Sequence, residues 1–177
     1  MKTHYQNLER AAFQAWPAQQ ELEDQGIVLR YAQGYTKRAN SANILQIENF
    51  DATELTAAVE EHYLQILNKI ESYFTEKKLP SIIRIPSFSD ANLFDLFLVA
   101  QGYQYQDKTL VLEMPIPCRA RQDISINSTI VCKAPDKWLE SFCALNNSEI
   151  TEHSAHLAIL QRIKDKTMFA VLLEDGI

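Results

Sequence analysis

Apolar positions recur along this chain with two periods, and the alternation between them predicts its elements. Leu8, Ala11, Ala12, Ala15 and Trp16 fall at helical spacing, predicting a helix from Leu8 to about Gln20 that ends or kinks near Pro17. Gly26 opens a strand, Ile27 to Tyr31, and Gly34 closes it; Ala42 to Ile47 alternates well enough to pair with it. The longest helix is expected over Thr53–Lys78, where Leu55, Val59, Tyr63, Ile66, Leu67, Ile70 and Phe74 form one apolar stripe. Asp51 is its expected N-cap with Glu54 three residues on, Lys77 and Lys78 suit its C-terminal dipole, and Pro80 stops it.

Ser81 to Pro86 reads as a short buried strand. Ser89 is placed to cap a helix running to Gln101, with Gly102 as its stop. That helix carries Leu93, Phe94, Leu96, Phe97, Leu98 and Val99, so burial almost all round is expected. Tyr103 to Met114 reads as extended, bent around Asp107-Lys108. A strand–helix–strand–helix–strand order implies right-handed crossovers and at least one parallel strand pair. The fold class is therefore α/β, an α+β mixed sheet with helices.

Pro115 and Pro117 prevent regular pairing, so 115–127 reads as a linker between a first unit, 1–114, and a second, 128–177. The second unit is expected to hold a strand at Ser128–Lys133, a helix at Pro135–Leu145, a helix capped by Ser148 or Thr151 running to about Asp165, and a strand at Thr167–Leu173. Glu174-Asp175-Gly176 after that strand signals a tight hairpin turn, yet the sequence given stops at Ile177. The expectation is that 167–173 finds another partner, in a longer protein or across a two-fold axis.

Composition narrows the class. The 177 residues carry a net charge of −6 with 46% hydrophobic and 23% charged residues, which fits a globular chain and argues against nucleic acid as a partner. The longest apolar run, Met168 to Leu173, falls far short of the roughly 20 residues that cross a bilayer, so no membrane association is expected. The N-terminus lacks an apolar signal region. Three cysteines (Cys118, Cys132 and Cys143) without CxxC spacing fit reduced thiols in a cytoplasm. Cys132 and Cys143 read as small buried hydrophobes.

Two constellations offer chemistry. Arg30, Tyr35, Lys37, Arg38, Asn40 and Ser41 gather on a loop between strands, as a surface for an anionic acceptor or for the second unit. The competing reading is a turn in which Arg38 and Asn40 bond the local backbone. Glu149, Glu152, His153 and His156 spell ExxEHxxH, which lacks the i, i+4 histidine pair of HExxH zinc sites. It reads as a solvated helix face. Tyr63, Tyr73, Trp16 and Trp138 read as core.

Residues 28–45, VLRYAQGYTKRANSANIL, resemble a segment near the N-terminus of GNAT-family N-acetyltransferases, in the group whose first GNAT-like half is degenerate. The similarity continues through a long helix ending Leu79-Pro80, a strand like IIRIP, an apolar helix ending Gln101-Gly102-Tyr103 and a strand like TLVLEM. Residues 135–173 look similar to the opening of the second, active half. The resemblance implies a GNAT-like scaffold whose second half is truncated after its second strand. It also implies transfer of an acetyl group from acetyl-CoA to a small-molecule or peptide amine in the complete protein. That family holds the cofactor's pyrophosphate on a [Q/R]-x-x-G-x-[G/A] turn at a helix N-terminus. The four glycines here, Gly26, Gly34, Gly102 and Gly176, include no G-x-G, and Asn49-Phe50-Asp51-Ala52-Thr53 stands before the long helix instead. No acetyl-CoA binding by this chain alone, and no catalytic residue, is therefore expected. The alternative is a stand-alone, non-catalytic GNAT-like binding or oligomerisation module.

Overall fold

The computed structural model describes residues 2–48, 52–115, 128–164 and 167–174. Helix α1 (Lys2–Ala15) is followed by strands β1 (Gln20–Asp24), β2 (Ile27–Tyr31) and β3 (Ser41–Ile44), then helix α2 (Ala57–Glu76), strand β4 (Ile83–Arg84) and helix α3 (Asn92–Ala100). Strand β5 (Ser128–Lys133), helices α4 (Pro135–Asn146) and α5 (Ser154–Leu160), and strand β6 (Phe169–Glu174) complete it. The first sheet has the order β1-β2-β3-β4. β1, β2 and β3 pair antiparallel, and β4 joins β3 in parallel through the α2 crossover. The class is mixed α/β, with the expected parallel pair.

Alternation along β2 and β3 decides what lies on each side of this sheet. Leu29 stands opposite Ala42, and both join Ile44 against Val59, Tyr63, Leu67, Ile70 and Phe74 of α2 and Phe94, Phe97 and Leu98 of α3. Val28 turns the other way and packs with Phe13 of α1, Leu45 and Phe88. On that α1 side a polar row lies among the apolar contacts. Arg30 is opposite Ser41, Val28 opposite Asn43 and Asn43 opposite Arg84. Arg84 Nη1 donates to Asn43 Oδ1 at 2.7 Å, and Glu9 of α1 approaches Arg84 at 3.5 Å.

Several boundaries differ from the sequence reading. β1 replaces the end of the expected first helix. Pro17 stops α1, and Gln25-Gly26, both with positive φ (49° and 83°), make a two-residue hairpin loop that folds 20–24 back onto β2. α2 starts at Ala57, where Thr56 Oγ1 accepts from the Val59 N–H; the expected cap Asp51 lies outside the described residues. Its C-terminus closes on left-handed Lys78 (φ 57°), with Lys78 N–H bonding Thr75 O and Leu79 N–H bonding Phe74 O. α3 starts at Asn92 because Ser87–Ser89 form a 3-10 turn and Asp90 is left-handed; Ser89 Oγ donates back to Pro86 O at 2.8 Å rather than capping the helix.

Three further expectations need correcting. Leu96 and Val99 are 60% and 58% exposed, so α3 has an apolar outer face. Cys132 is exposed, while Cys143 is buried. Residues 103–114 form no strand, and Asp107 (φ 53°) marks their bend. Within the chain one edge of strand 167–173 is paired: β6 lies antiparallel to β5 over the register from Ser128↔Glu174 to Lys133↔Phe169. Cys118, the turn at Asp175-Gly176 and residues 116–127 lie outside the described residues.

Candidate functional site

The turn between β2 and β3 is built on Asn40. Its Oδ1 accepts from the Ala32 and Gly34 N–H groups at 2.8 and 2.9 Å, and its Nδ2 donates to Thr36 O at 2.8 Å. Gln33 and Gly34 take left-handed conformations inside this loop. An Asn whose two amide ends saturate three backbone groups fixes the path of the chain and aims Tyr35 outward.

Tyr35 meets α5. Its ring stacks on His156 with centroids 5.0 Å apart, and its hydroxyl lies 2.8 Å from His156 Nδ1 and 3.4 Å from His153 Nδ1. His153 Nε2 lies 3.0 Å from Ser148 Oγ. One hydrogen assignment satisfies the whole series: Ser148 donates to His153 Nε2, His153 Nδ1–H donates to the Tyr35 oxygen, and Tyr35 donates to His156 Nδ1. Aromatic rings close around His156, with centroids of Trp16 and Phe142 at 5.4 Å and Trp138 at 6.1 Å. Trp16 is held by Thr36 Oγ1, and Trp138 by Ala170 O of β6. Ile159 of α5 packs beside them against Ala32 and Ala39.

Burial sets the electrostatics of this cluster. His156 is 5% exposed, and burial first, then His153, hold its imidazole below the ordinary value, so it is neutral at pH 7. Burial, then the nearby Cys143, push the Tyr35 phenol up, so it keeps its proton. The Tyr35–His156 end of the site is thus a neutral, directed hydrogen bond from phenol to imidazole. No group of three metal-ligating side chains occurs among the described residues. The ExxEHxxH segment was expected as a solvated face; instead a short 3-10 turn, Ile150–His153, precedes α5 and turns His156 inward. Sequence reading did not connect these histidines to Tyr35, because their contact spans 121 residues.

The other loop residues divide by burial. Arg30 is fully buried: Nε donates to Glu21, Nη1 to Arg38 O, Nη2 to Phe13 O and Trp16 O, and the guanidinium lies 4.3 Å from the Phe13 ring centroid. Ser41 is also fully buried and accepts from Asn43 Nδ2. Lys37 is exposed and pairs with Asp107. The Arg38 side chain is exposed, and its carbonyl serves Arg30. Arg30, Asn40 and Ser41 thus form the frame, while Tyr35, Lys37 and Arg38 reach its surface.

A concavity of about 600 Å³, its open mouth included, lies between the β1–β2 hairpin and α2. Ile27, Leu29, Ile66 and Ile70 line it, and Asp24 pairs with Lys69 at its rim. No described helix is long and apolar enough to cross a membrane.

No curated protein and no solved structure matches the chain. A family model does: the one described as "Probable histone acetyltransferase Rv0428c C-terminal" matches residues 3–170. The match takes in nearly all of α1, the first sheet, β5 and the Tyr35–His156 junction, and ends at the start of β6. This chain belongs to that acetyltransferase-related family.

Proposed function

We propose that this chain is the N-terminal portion of a GNAT-type N-acetyltransferase, with a degenerate GNAT-like first half. The family match over residues 3–170 supports the acetyltransferase part of this reading; the GNAT-type half and its N-terminal position rest on the resemblance of residues 28–45 and the elements after them. In the reaction a deprotonated amine nitrogen attacks the thioester carbonyl of acetyl-CoA. The C–N bond forms, the C–S bond breaks, and the leaving thiolate takes up a proton. This chain supplies a scaffold in which Asn40 and Arg30 frame the β2–β3 loop and Tyr35 joins it to α5.

The described residues do not fit the cofactor's pyrophosphate. Gly26 lies in a hairpin turn, Gly34 in the β2–β3 turn and Gly102 beyond the C-terminus of α3, so none opens a helix. At the start of α2 the Thr56 side chain already takes the Val59 N–H, and Glu60 puts negative charge in the first turn. Both features oppose an anion there. Acetyl-CoA contacts in the complete protein would come from outside these residues. For the acceptor we propose an amine on a small molecule or peptide. The family's description makes a lysine-rich histone peptide the first to try, and a chain of net charge −6 suits a basic partner. The free thiols of Cys132 and Cys143 accord with a cytoplasmic setting.

The test is acetyl-CoA titration with the melting temperature as readout. Saturation at ~100 times the dissociation constant adds about 2.7 kcal/mol. The 177-residue chain should not shift, whereas the complete gene product should shift and release free CoA thiol when given an amine. A complete product that neither binds acetyl-CoA nor releases thiol would overturn the reading.

A further inference from the structure

Ser148 joins the Tyr35–His156 series at its solvent end, and the backbone is bent to place it there. Helix α4 closes on left-handed Asn147 (φ 50°), and the Ser148 N–H bonds back to Cys143 O at 3.0 Å. This closure fixes the Ser148 backbone. Its hydroxyl then lies 3.0 Å from Nε2 of His153, the last residue of the Ile150–His153 turn. Ser148 and His153 are both half-buried, so the pair remains open to solvent while the Tyr35 and His156 contacts behind it are enclosed.

Two features set this pair apart from an ordinary surface hydrogen bond. The first is the tautomer. Buried His156 accepts the Tyr35 hydroxyl proton at Nδ1, which leaves the phenol oxygen to accept from His153 Nδ1–H at 3.4 Å. The unprotonated Nε2 of His153 then faces the Ser148 hydroxyl, the arrangement in which an imidazole removes a hydroxyl proton. The second is orientation. The His153 ring stands edge-on to Phe142 and to Tyr35, with centroids 5.6 and 6.2 Å away, and these two rings hold its plane. Hydroxyl, imidazole and phenol thus follow one another as nucleophile, base and orienting group do in a hydrolytic triad, the phenol standing where a carboxylate is usual.

We propose that Ser148 and His153 form a hydrolytic site for neutral, activated esters, with Ser148 as nucleophile, His153 as general base and Tyr35 as a positioning residue. In the first step a bond forms between Ser148 Oγ and the ester carbonyl carbon, and the hydroxyl proton passes to His153 Nε2. The bond from that carbon to the leaving oxygen then breaks, and the leaving oxygen takes the proton from His153. Water next attacks the acyl-serine, giving its proton to His153 Nε2. The carboxylic acid departs, and Ser148 Oγ recovers a proton. A neutral phenol stabilises an imidazolium less than a carboxylate does, so the leaving group must be a good one, an aryl rather than an alkyl oxygen. Exposed Glu149 and Glu152, beside Ser148 and His153 in the chain, repel anionic substrates, while exposed Leu145 and Ile150 offer apolar surface. The activity needs no acetyl-CoA and does not depend on the acetyltransferase reading.

p-Nitrophenyl acetate given to the whole chain tests it, with p-nitrophenolate release followed by absorbance and the acetyl group located by mass spectrometry of the quenched protein. The wild type should show a stoichiometric burst and then slower turnover, with the acetyl group on Ser148. Ser148→Ala should abolish the burst and leave only the slow background of the other imidazoles. His153→Gln should lower the rate about 100-fold. Tyr35→Phe removes the acceptor that orients His153 and touches no substrate, so it should lower kcat with KM unchanged, whereas a general loosening of the fold would move both. Release no faster than from the unfolded chain overturns the proposal, as does a burst that survives Ser148→Ala. Acetyl found in the wild type only on lysine or histidine also overturns it, and that measurement requires no variant to fold.

Discussion

The hydroxyl of Tyr35 lies 2.8 Å from Nδ1 of His156, 121 residues away, and this contact joins the β2–β3 turn to α5. The phenol is the central member of a hydrogen-bond series whose His156 end is enclosed by Trp16, Trp138 and Phe142. Tyr35→Phe keeps the stacked ring and deletes the hydroxyl, leaving His156 Nδ1 without its donor. The expected loss is about 1–3 kcal/mol. At roughly 2–4 °C per kcal/mol, calorimetry should record a clear fall in melting temperature with the fold retained. An unchanged melting temperature would show the bond to be dispensable.

The same histidine makes the protein acid-sensitive. His156 has a lowered value in the folded state, whereas in the unfolded chain it titrates near its ordinary 6.5. Between the two values the unfolded chain binds more protons. The stability contributed by neutral His156 is therefore fully present above 6.5 and is lost as pH falls through the folded value. Melting curves should show this decline below pH 6.5, and His156→Asn, which cannot titrate there, should flatten it. At the alkaline end Tyr103, pushed up to about 12 by burial and by its bond to Glu71, behaves oppositely. Its contribution should fade as pH rises from 10 towards 12, and Tyr103→Phe should make that slope shallower, the buried phenols of Tyr35, Tyr63 and Tyr73 keeping the rest.

Removing Arg30 should be among the most damaging single changes. Its guanidinium is fully buried and serves the carbonyls of Phe13, Trp16 and Arg38 besides Glu21. Arg30→Met fills the space but leaves those acceptors unpaired, at an expected cost of about 3–5 kcal/mol. Arg30→Lys cannot reproduce the fork and should recover only part of it. Denaturant unfolding of both variants measures the difference.

Two backbone sites should respond in opposite directions. A Cβ on Gly26 would stand 2.7 Å from Gln46 Cβ, at φ 83°, so Gly26→Ala should destabilise the hairpin by about 1–3 kcal/mol. Lys78 closes α2 at φ 57°, a conformation that glycine adopts freely, so Lys78→Gly should stabilise by about 0.5–1 kcal/mol. Equilibrium unfolding should give the two changes opposite signs.

The mixed fold class was legible in the sequence wherever one face of an element is apolar at a regular period. The stripe from Val59 to Phe74 marked α2, and β5 and α4 stood nearly where alternation and Pro135 set them. β1 was invisible to that logic, because Gln20–Asp24 is exposed throughout and owes its conformation to the ladder with β2. Local sequence likewise gave the capping residues of the β2–β3 loop. Asn40 could be read as a turn-former, since its bonds reach only to Ala32, Gly34 and Thr36. Whether Arg30 faces water or the interior depended on α1 lying across it. Whether His156 is solvated or enclosed depended on α4, α5 and the β2–β3 turn meeting. Periodicity and caps are properties of neighbours in the chain, and the sequence by itself determined those. Burial of a polar side chain is a property of neighbours in space, and only the tertiary structure decided it.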